Sequence, residues 1–193
     1  SVGEDRIRIV HEALDHNLFR PMDCLNASST DLSRLGIDPP FVVFVSSLWR
    51  YKNAEVLIRA ASIWRKLLPD LSVVLAGYHP DMVYLRELRS LSRELRVADK
   101  IIFTGGLNQE VLLQLYGRAE AMIYPSTYET FGLPLIEAMA VGCPVVASNT
   151  SCLPEIGGDA GLYFAPDMPE ELVDLIVKLI SDSGFRQSHI KLG

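Results

Sequence analysis

Glu129 and Glu137 stand eight positions apart in the stretch Tyr-Pro-Ser-Thr-Tyr-Glu-Thr-Phe-Gly-Leu-Pro-Leu-Ile-Glu, residues 124–137. Two such carboxylates suit hydrogen bonding to hydroxyls, Glu129 to those of a sugar and Glu137 to those of a ribose. Between them, Gly132 permits close backbone approach. Pro134 is favoured in a first helical turn, because its missing N–H is a donor that would be unpaired there anyway. A helix starting here after a strand offers free amides and a partial positive charge, which suits a phosphate. Upstream, Arg50 and Lys52 could neutralise a diphosphate. The bland alternatives are two solvated glutamates around an ordinary turn, and a solvated cationic loop.

Other chemistries find less support. Gly105-Gly106 and Gly157-Gly158-Asp159-Ala160-Gly161 lack the three spaced glycines of a dinucleotide fingerprint, which argues against hydride transfer. His11, His16, His79 and His189 show no metal spacing, although His79-Pro80 falls in a loop at the edge where ligands are expected. Ser126 and Ser148 lack the small-residue elbow of a nucleophile. Cys24, Cys143 and Cys152 are three, an odd number, so reduced thiols in a cytoplasmic setting are expected rather than a disulfide framework. With 18 Lys plus Arg against 24 Asp plus Glu, the net charge is −6, and no basic face for nucleic acid is expected. No apolar run approaches the roughly 20 residues of a spanning helix, and the opening Ser1-Val2-Gly3-Glu4 does not read as a signal peptide. A soluble chain is the expectation.

The elements that must carry these residues alternate. Residues 6–10 alternate like a short strand within a turn-rich lead-in over 1–40. The continuous apolar run 41–45 reads as a strand buried on both faces. Asn53 is expected to cap a helix over 53–68 whose stripe is Val56, Leu57, Ala60, Ile63, Trp64, Leu67 and Leu68. Strands follow at 71–76, 100–104, 121–124, 144–147 and 160–164. Helices are expected over 81–97, from Asn108, from the focal stretch to Val141, and over 170–180. Residues 157–161 read as a loop. Regular strand–helix alternation predicts an α/β, Rossmann-like, doubly wound parallel sheet, one compact domain with its core over 41–182. Ligands sit beyond the carboxyl ends of such strands, and the loops 46–53, 77–80, 105–108, 125–133 and 148–154 all fall on that edge.

Taken in order, the motifs resemble a specific family. Leu48-Trp49-Arg50-Tyr51-Lys52-Asn53, Ile102-Phe103-Thr104-Gly105, Tyr124-Pro125-Ser126 and Glu129-Thr130-Phe131-Gly132-Leu133-Pro134 come first. Glu137-Ala138-Met139-Ala140, Gly142-Cys143-Pro144-Val145-Val146-Ala147, Leu153-Pro154-Glu155-Ile156 and Gly161-Leu162 follow. Over residues 41–182 this is similar to the C-terminal, donor-binding half of retaining family 4 glycosyltransferases of the two-domain GT-B fold. The resemblance implies transfer of a sugar from a UDP-, GDP- or ADP-sugar. It implies that Glu129 contacts the donor sugar and Glu137 the ribose. The amides around Phe131, Gly132 and Leu133 would meet sugar and phosphate, Lys52 the leaving diphosphate, and Leu107 the base. It requires no metal or other cofactor.

Two features depart from that pattern. Ser46-Ser47 occupies the place of a Gly-Arg pair common in the family, with Arg50 as a stand-in for the charge. The acceptor-binding N-terminal domain has no counterpart here, so the chain alone is expected to bind donor weakly and turn over little, with any peripheral membrane contact left to that domain. The alternative from another class is a non-catalytic nucleotide-binding module of the same fold. A GT-B epimerase or phosphorylase ranks lower, because no lysine sits in a pyridoxal phosphate context.

Overall fold

The computed structural model describes residues 12–21 and 30–193; the strand expected over 6–10 lies outside them, as do His11 and Cys24. Six parallel strands form one sheet: β1 (Phe41–Val45), β2 (Ser72–Ala76), β3 (Ile101–Gly105), β4 (Met122–Tyr124), β5 (Val145–Ser148) and β6 (Gly161–Phe164). They lie in the order β3-β2-β1-β4-β5-β6. This is a Rossmann-like, doubly wound α/β fold, and the strand order reverses between β1 and β4. That junction is narrow. Val43 pairs with Met122, and the Val43 amide donates to Ala121 at 3.0 Å.

Side-chain alternation along each strand sorts the core into two layers. Val42, Phe44, Val73, Leu75, Ile123 and Val146 face one cluster, beneath α2 (Glu55–Trp64), α3 (Met82–Glu94) and α7 (Pro169–Ser181). Phe41, Val43, Val74, Ala76, Met122, Val145 and Ala147 face the other, beneath α4 (Gln109–Arg118) and α5 (Leu133–Val141). The lead-in joins this second layer through α1 (Thr30–Arg34) and the buried Phe19, Leu32 and Ile37. Trp64 closes the first layer at 1% exposure. Full burial of an apolar side chain of this kind contributes about 1.5–3 kcal/mol.

Several expected elements are corrected. Asn53 does not cap α2. It follows a 3-10 turn, Arg50–Lys52, and adopts the left-handed conformation with φ 55°. Its side-chain amide donates to the carbonyls of Pro166 at 2.7 Å and Pro125 at 3.3 Å. Asn tolerates this backbone region better than most residues, so its cap-like chemistry is used to tie loops together. α2 ends at Trp64, and Ile63 and Leu67 are exposed instead of lying on the buried stripe. The loops expected over 148–154 and 157–161 are joined by helical turns, the short α6 (Leu153–Gly157) and a 3-10 turn, Gly158–Ala160.

α8 (Ser183–Leu192) was not expected either, and it carries the packed structure past residue 182. It docks through Phe185, packed against the first layer, and through polar contacts: Arg186 pairs with Glu120 at 3.0 Å, and His189 Nδ1 lies 3.3 Å from the Ala160 carbonyl. Asp81 and Asn108, where helices are expected to begin, cap α3 and α4, Asp81 accepting from two first-turn amides and Asn108 from one. Among the described residues no helix is long and apolar enough to cross a membrane.

Replacing Asn53 by Ala removes both loop ties and leaves a Cβ in the left-handed region. We expect a loss of about 2 kcal/mol, seen by calorimetry as a fall in Tm of about 4–8 °C for a chain of this size.

Candidate functional site

Two loops flank the point where strand order reverses. One leaves β1 and carries Lys52; the other leaves β4 and carries Glu129. Lys52 Nζ and the Glu129 carboxylate form an ion pair across that point, with side chains only 10% and 9% exposed. The Tyr124 hydroxyl, at the end of β4, lies 3.3 Å from Lys52 Nζ. Burial and the Glu129 carboxylate keep the Tyr124 phenol well above its ordinary range, so it stays neutral as a dipole beneath the cation. A buried cation and carboxylate at the carboxyl edge can be re-partnered by a ligand that brings its own charge.

The loop carrying Glu129 is braced from the side by residues that the sequence patterns did not single out. The Glu129 amide donates to Ser151 Oγ at 3.3 Å. The Cys152 thiol donates to the carbonyls of Glu129 and Phe131 at 3.5 and 3.4 Å, and burial holds that thiol above its ordinary pKa, in the protonated form a donor requires. Ser148 and Thr150 hydroxyls both donate to the Ser126 carbonyl. Short polar residues following β5 are the signal that would have found this brace.

α5 starts where the first-turn proline put it. Gly132 is its N-cap with φ 97° and no side-chain cap, which leaves its leading amides to a ligand. A Cβ on Gly132 would lie 3.0 Å from the Leu153 side chain, so the position needs glycine for conformation and room alike. Leu133, the first helical residue, is exposed, and Phe131 is half-buried.

Glu137 lies one turn into α5, half-buried, and accepts a hydrogen bond from the Tyr116 hydroxyl at 3.0 Å. Tyr116, on α4, is fully buried. Burial pushes the Glu137 carboxyl above its ordinary range, and the Tyr116 bond pulls against that. Sequence spacing singled out Glu137 but not the tyrosine that orients it.

Arg50 stands apart from this cluster. Its guanidinium makes two bonds to Glu87 of α3, at 2.7 and 2.9 Å, lies 3.7 Å from Asp81, and rests on the Tyr84 ring. Leu107 lines a recess of about 170 Å³ between the loops after β1, β2 and β3. The four large aromatic side chains exposed among the described residues, Trp49, Tyr51, Tyr78 and Tyr128, all sit on the carboxyl edge. A larger cavity, about 790 Å³, lies elsewhere, between residues 12–21, the outer face of α5 and the end of α8. None of Lys52, Glu129 and Glu137 lines it, and the convergent polar groups that fix a ligand are on the sheet edge.

Known proteins match this chain as follows. The family model described as Glycosyl transferases group 1 matches residues 30–193. An uncharacterized glycosyltransferase of Methanocaldococcus jannaschii is 35% identical over 190 residues, covering 95% of this chain and 47% of that protein. The chain spans less than half the length of the curated relatives it matches. Among solved structures, the C-terminal domain of a group 1 family protein (LpcC) from Francisella tularensis superposes with TM-score 0.79 at 26% identity, covering 92% of this chain and 93% of that one. HepE of Anabaena, in complex with UDP and glucose, superposes with TM-score 0.82 at 25% identity, over 95% of this chain and 49% of that one.

The Glu137 environment sets a pH dependence. Its folded-state pKa is raised, so the native state takes up that proton before the unfolded chain does. The penalty on the charged form is present above the folded pKa and disappears as pH falls through it toward the ordinary glutamate value. Tyr116→Phe removes the donor and keeps the packing. Carboxyl-detected NMR titration should find the Glu137 midpoint raised in the parent chain and raised further in Tyr116→Phe.

Proposed function

The chain belongs to the group 1 glycosyl transferases, and from that premise we propose that it binds a nucleoside diphosphate sugar along the carboxyl edge of its sheet. The observation that carries this reading is the Lys52–Glu129 pair, set across the strand-order reversal beside the uncapped start of α5. A donor diphosphate is the ligand best able to exploit it. The phosphates compete for Lys52 and take the amides at Phe131, Gly132 and Leu133. The Glu129 carboxylate, released from the lysine, is then free to accept hydrogen bonds from the donor sugar. The Glu137 carboxylate, oriented by Tyr116, accepts from the ribose hydroxyls. The Anabaena neighbour's complex with UDP and glucose supports this ligand class.

In the whole enzyme the sugar moves to an acceptor with retention of configuration, as in family 4 of the GT-B glycosyltransferases. Negative charge builds on the leaving diphosphate as the glycosidic bond breaks. Fixed donors stabilise that charge more than the ground state, which is how such a site lowers the barrier. Lys52 supplies the cation and the α5 start supplies the dipole. Arg50, two residues before Lys52, contributes only by leaving Glu87, so its part is the weakest of the set. The chain matches less than half of each relative's length, which supports an acceptor held by a further domain and little turnover by this chain alone.

Calorimetry with UDP, GDP and ADP tests the reading. At least one should bind at millimolar concentration or better. Glu137→Ala should weaken it about ten- to hundredfold, the equivalent of about 1.5–3 kcal/mol for a hydrogen bond to a charged group. Absence of binding by all three would overturn the proposal.

A further inference from the structure

We infer that Tyr78 is the stacking platform for the base of the donor nucleotide, an assignment that rests on the donor-binding reading above. Tyr78 is 73% exposed, the highest value of any large apolar side chain among the described residues. Its ring is nonetheless seated. A Cβ on Gly106 would lie 2.6 Å from ring atoms Cε1 and Cζ of Tyr78, so the glycine after β3 leaves the space that the ring covers.

The backbone under the ring is held from both sides. The Tyr78 carbonyl accepts from the Leu48 amide at 2.8 Å, and the Gly77 amide donates to the Gly105 carbonyl at 2.9 Å. Gly77 itself has φ +147°, and a Cβ there would lie 2.0 Å from the Ser46 carbonyl oxygen. Two glycines therefore bring the loops after β1, β2 and β3 into contact, and the aromatic ring is mounted where they meet. An exposed ring on so constrained a support has little conformational freedom left to lose when a ligand stacks on it.

Beside the ring opens the 170 Å³ recess, walled by Tyr78, Leu107 and Leu112 and bordered by Ser47, with no charged side chain in its lining. Apolar walls and one aromatic face suit a planar base and suit neither a phosphate nor a sugar hydroxyl. The orientation agrees with the phosphate cluster, since both lie on the carboxyl edge. Lys52 and the α5 start lie toward β4, the recess toward β2 and β3, and a nucleotide laid along that edge would reach both. Stacking reads no particular base, because every base has a π face. Tyr78 should therefore strengthen uridine, adenosine and guanosine diphosphates alike.

Titration calorimetry on the 193-residue chain, with UDP, ADP, GDP and inorganic pyrophosphate as probes, tests this. Tyr78→Ala should weaken every nucleoside diphosphate about five- to fiftyfold, within the range for loss of one base–aromatic stack. Tyr78→Phe should keep the affinity, and pyrophosphate binding should be unchanged in both variants. Saturation-transfer NMR should lose intensity at the base protons relative to the ribose protons in Tyr78→Ala. Unchanged nucleotide affinity in Tyr78→Ala would overturn the platform and leave donor binding standing. An equal loss for pyrophosphate and nucleotides would overturn it as well, because the site itself would then have been disturbed. No nucleotide binding by the parent chain would overturn both.

Discussion

The ion pair between Lys52 and Glu129 is the interaction on which the carboxyl edge depends. Two charges with side chains about nine-tenths covered are expensive to desolvate, and they persist only because each supplies the other's counter-charge. Removing one partner of such a pair costs about 3–5 kcal/mol, a large share of the roughly 5–15 kcal/mol that stabilises a typical domain. The pair joins the loops of two strands that sit side by side at the reversal of strand order, where Val43 pairs with Met122. Asn53, one residue after Lys52, ties the same loop to Pro125 and Pro166. Ser151 and Cys152 hold the Glu129 loop from the other side. The charges are thus preorganised, and a ligand that separates them must replace what each one loses. A diphosphate for Lys52 and sugar hydroxyls for Glu129 meet that requirement together.

Much of this was legible in the residues, and the reason is periodicity. β-branched and aromatic runs bounded by helical stripes gave six strands in a parallel sheet, each within a residue or two of its observed position. Asp81 and Asn108 are caps because a short polar side chain before an apolar stripe has little else to do. Gly132 and Pro134 marked the start of α5, since one supplies positive φ and the other fits a first turn. The strand order itself was not written in any single stretch, because it depends on which strands pair across long connections.

What the sequence hid was long-range and polar. Asn53 has the chemistry of a cap and is used as a clasp, and only the fold reveals that Pro125 and Pro166 come within its reach. α8 carries few apolar residues, and beside Phe185 it docks through Arg186 and His189 to backbone and a carboxylate. Leu67 fell on an idealised stripe, but α2 stops at Trp64 before the stripe can reach it, and Ile63 lies within α2 on its exposed side. Tyr116 under Glu137, and Arg50 on Glu87, are pairings between residues 21 and 37 positions apart, beyond the reach of spacing rules. The likeness of the motifs to glycosyltransferases pointed to the loop after β4. It did not identify what holds that loop in place.

The central claim is that a nucleotide sugar lies along the carboxyl edge across the β1–β4 junction. Amide chemical-shift mapping of the isotope-labelled chain, during titration with UDP-glucose, GDP-mannose and ADP-glucose, tests it most directly. The account predicts that shifts produced by the donor that binds concentrate in residues 46–53, 77–80, 105–108 and 126–133 and at the start of α5. Shifts confined to the large cavity between residues 12–21, the outer face of α5 and the end of α8, with the sheet edge silent, would contradict it.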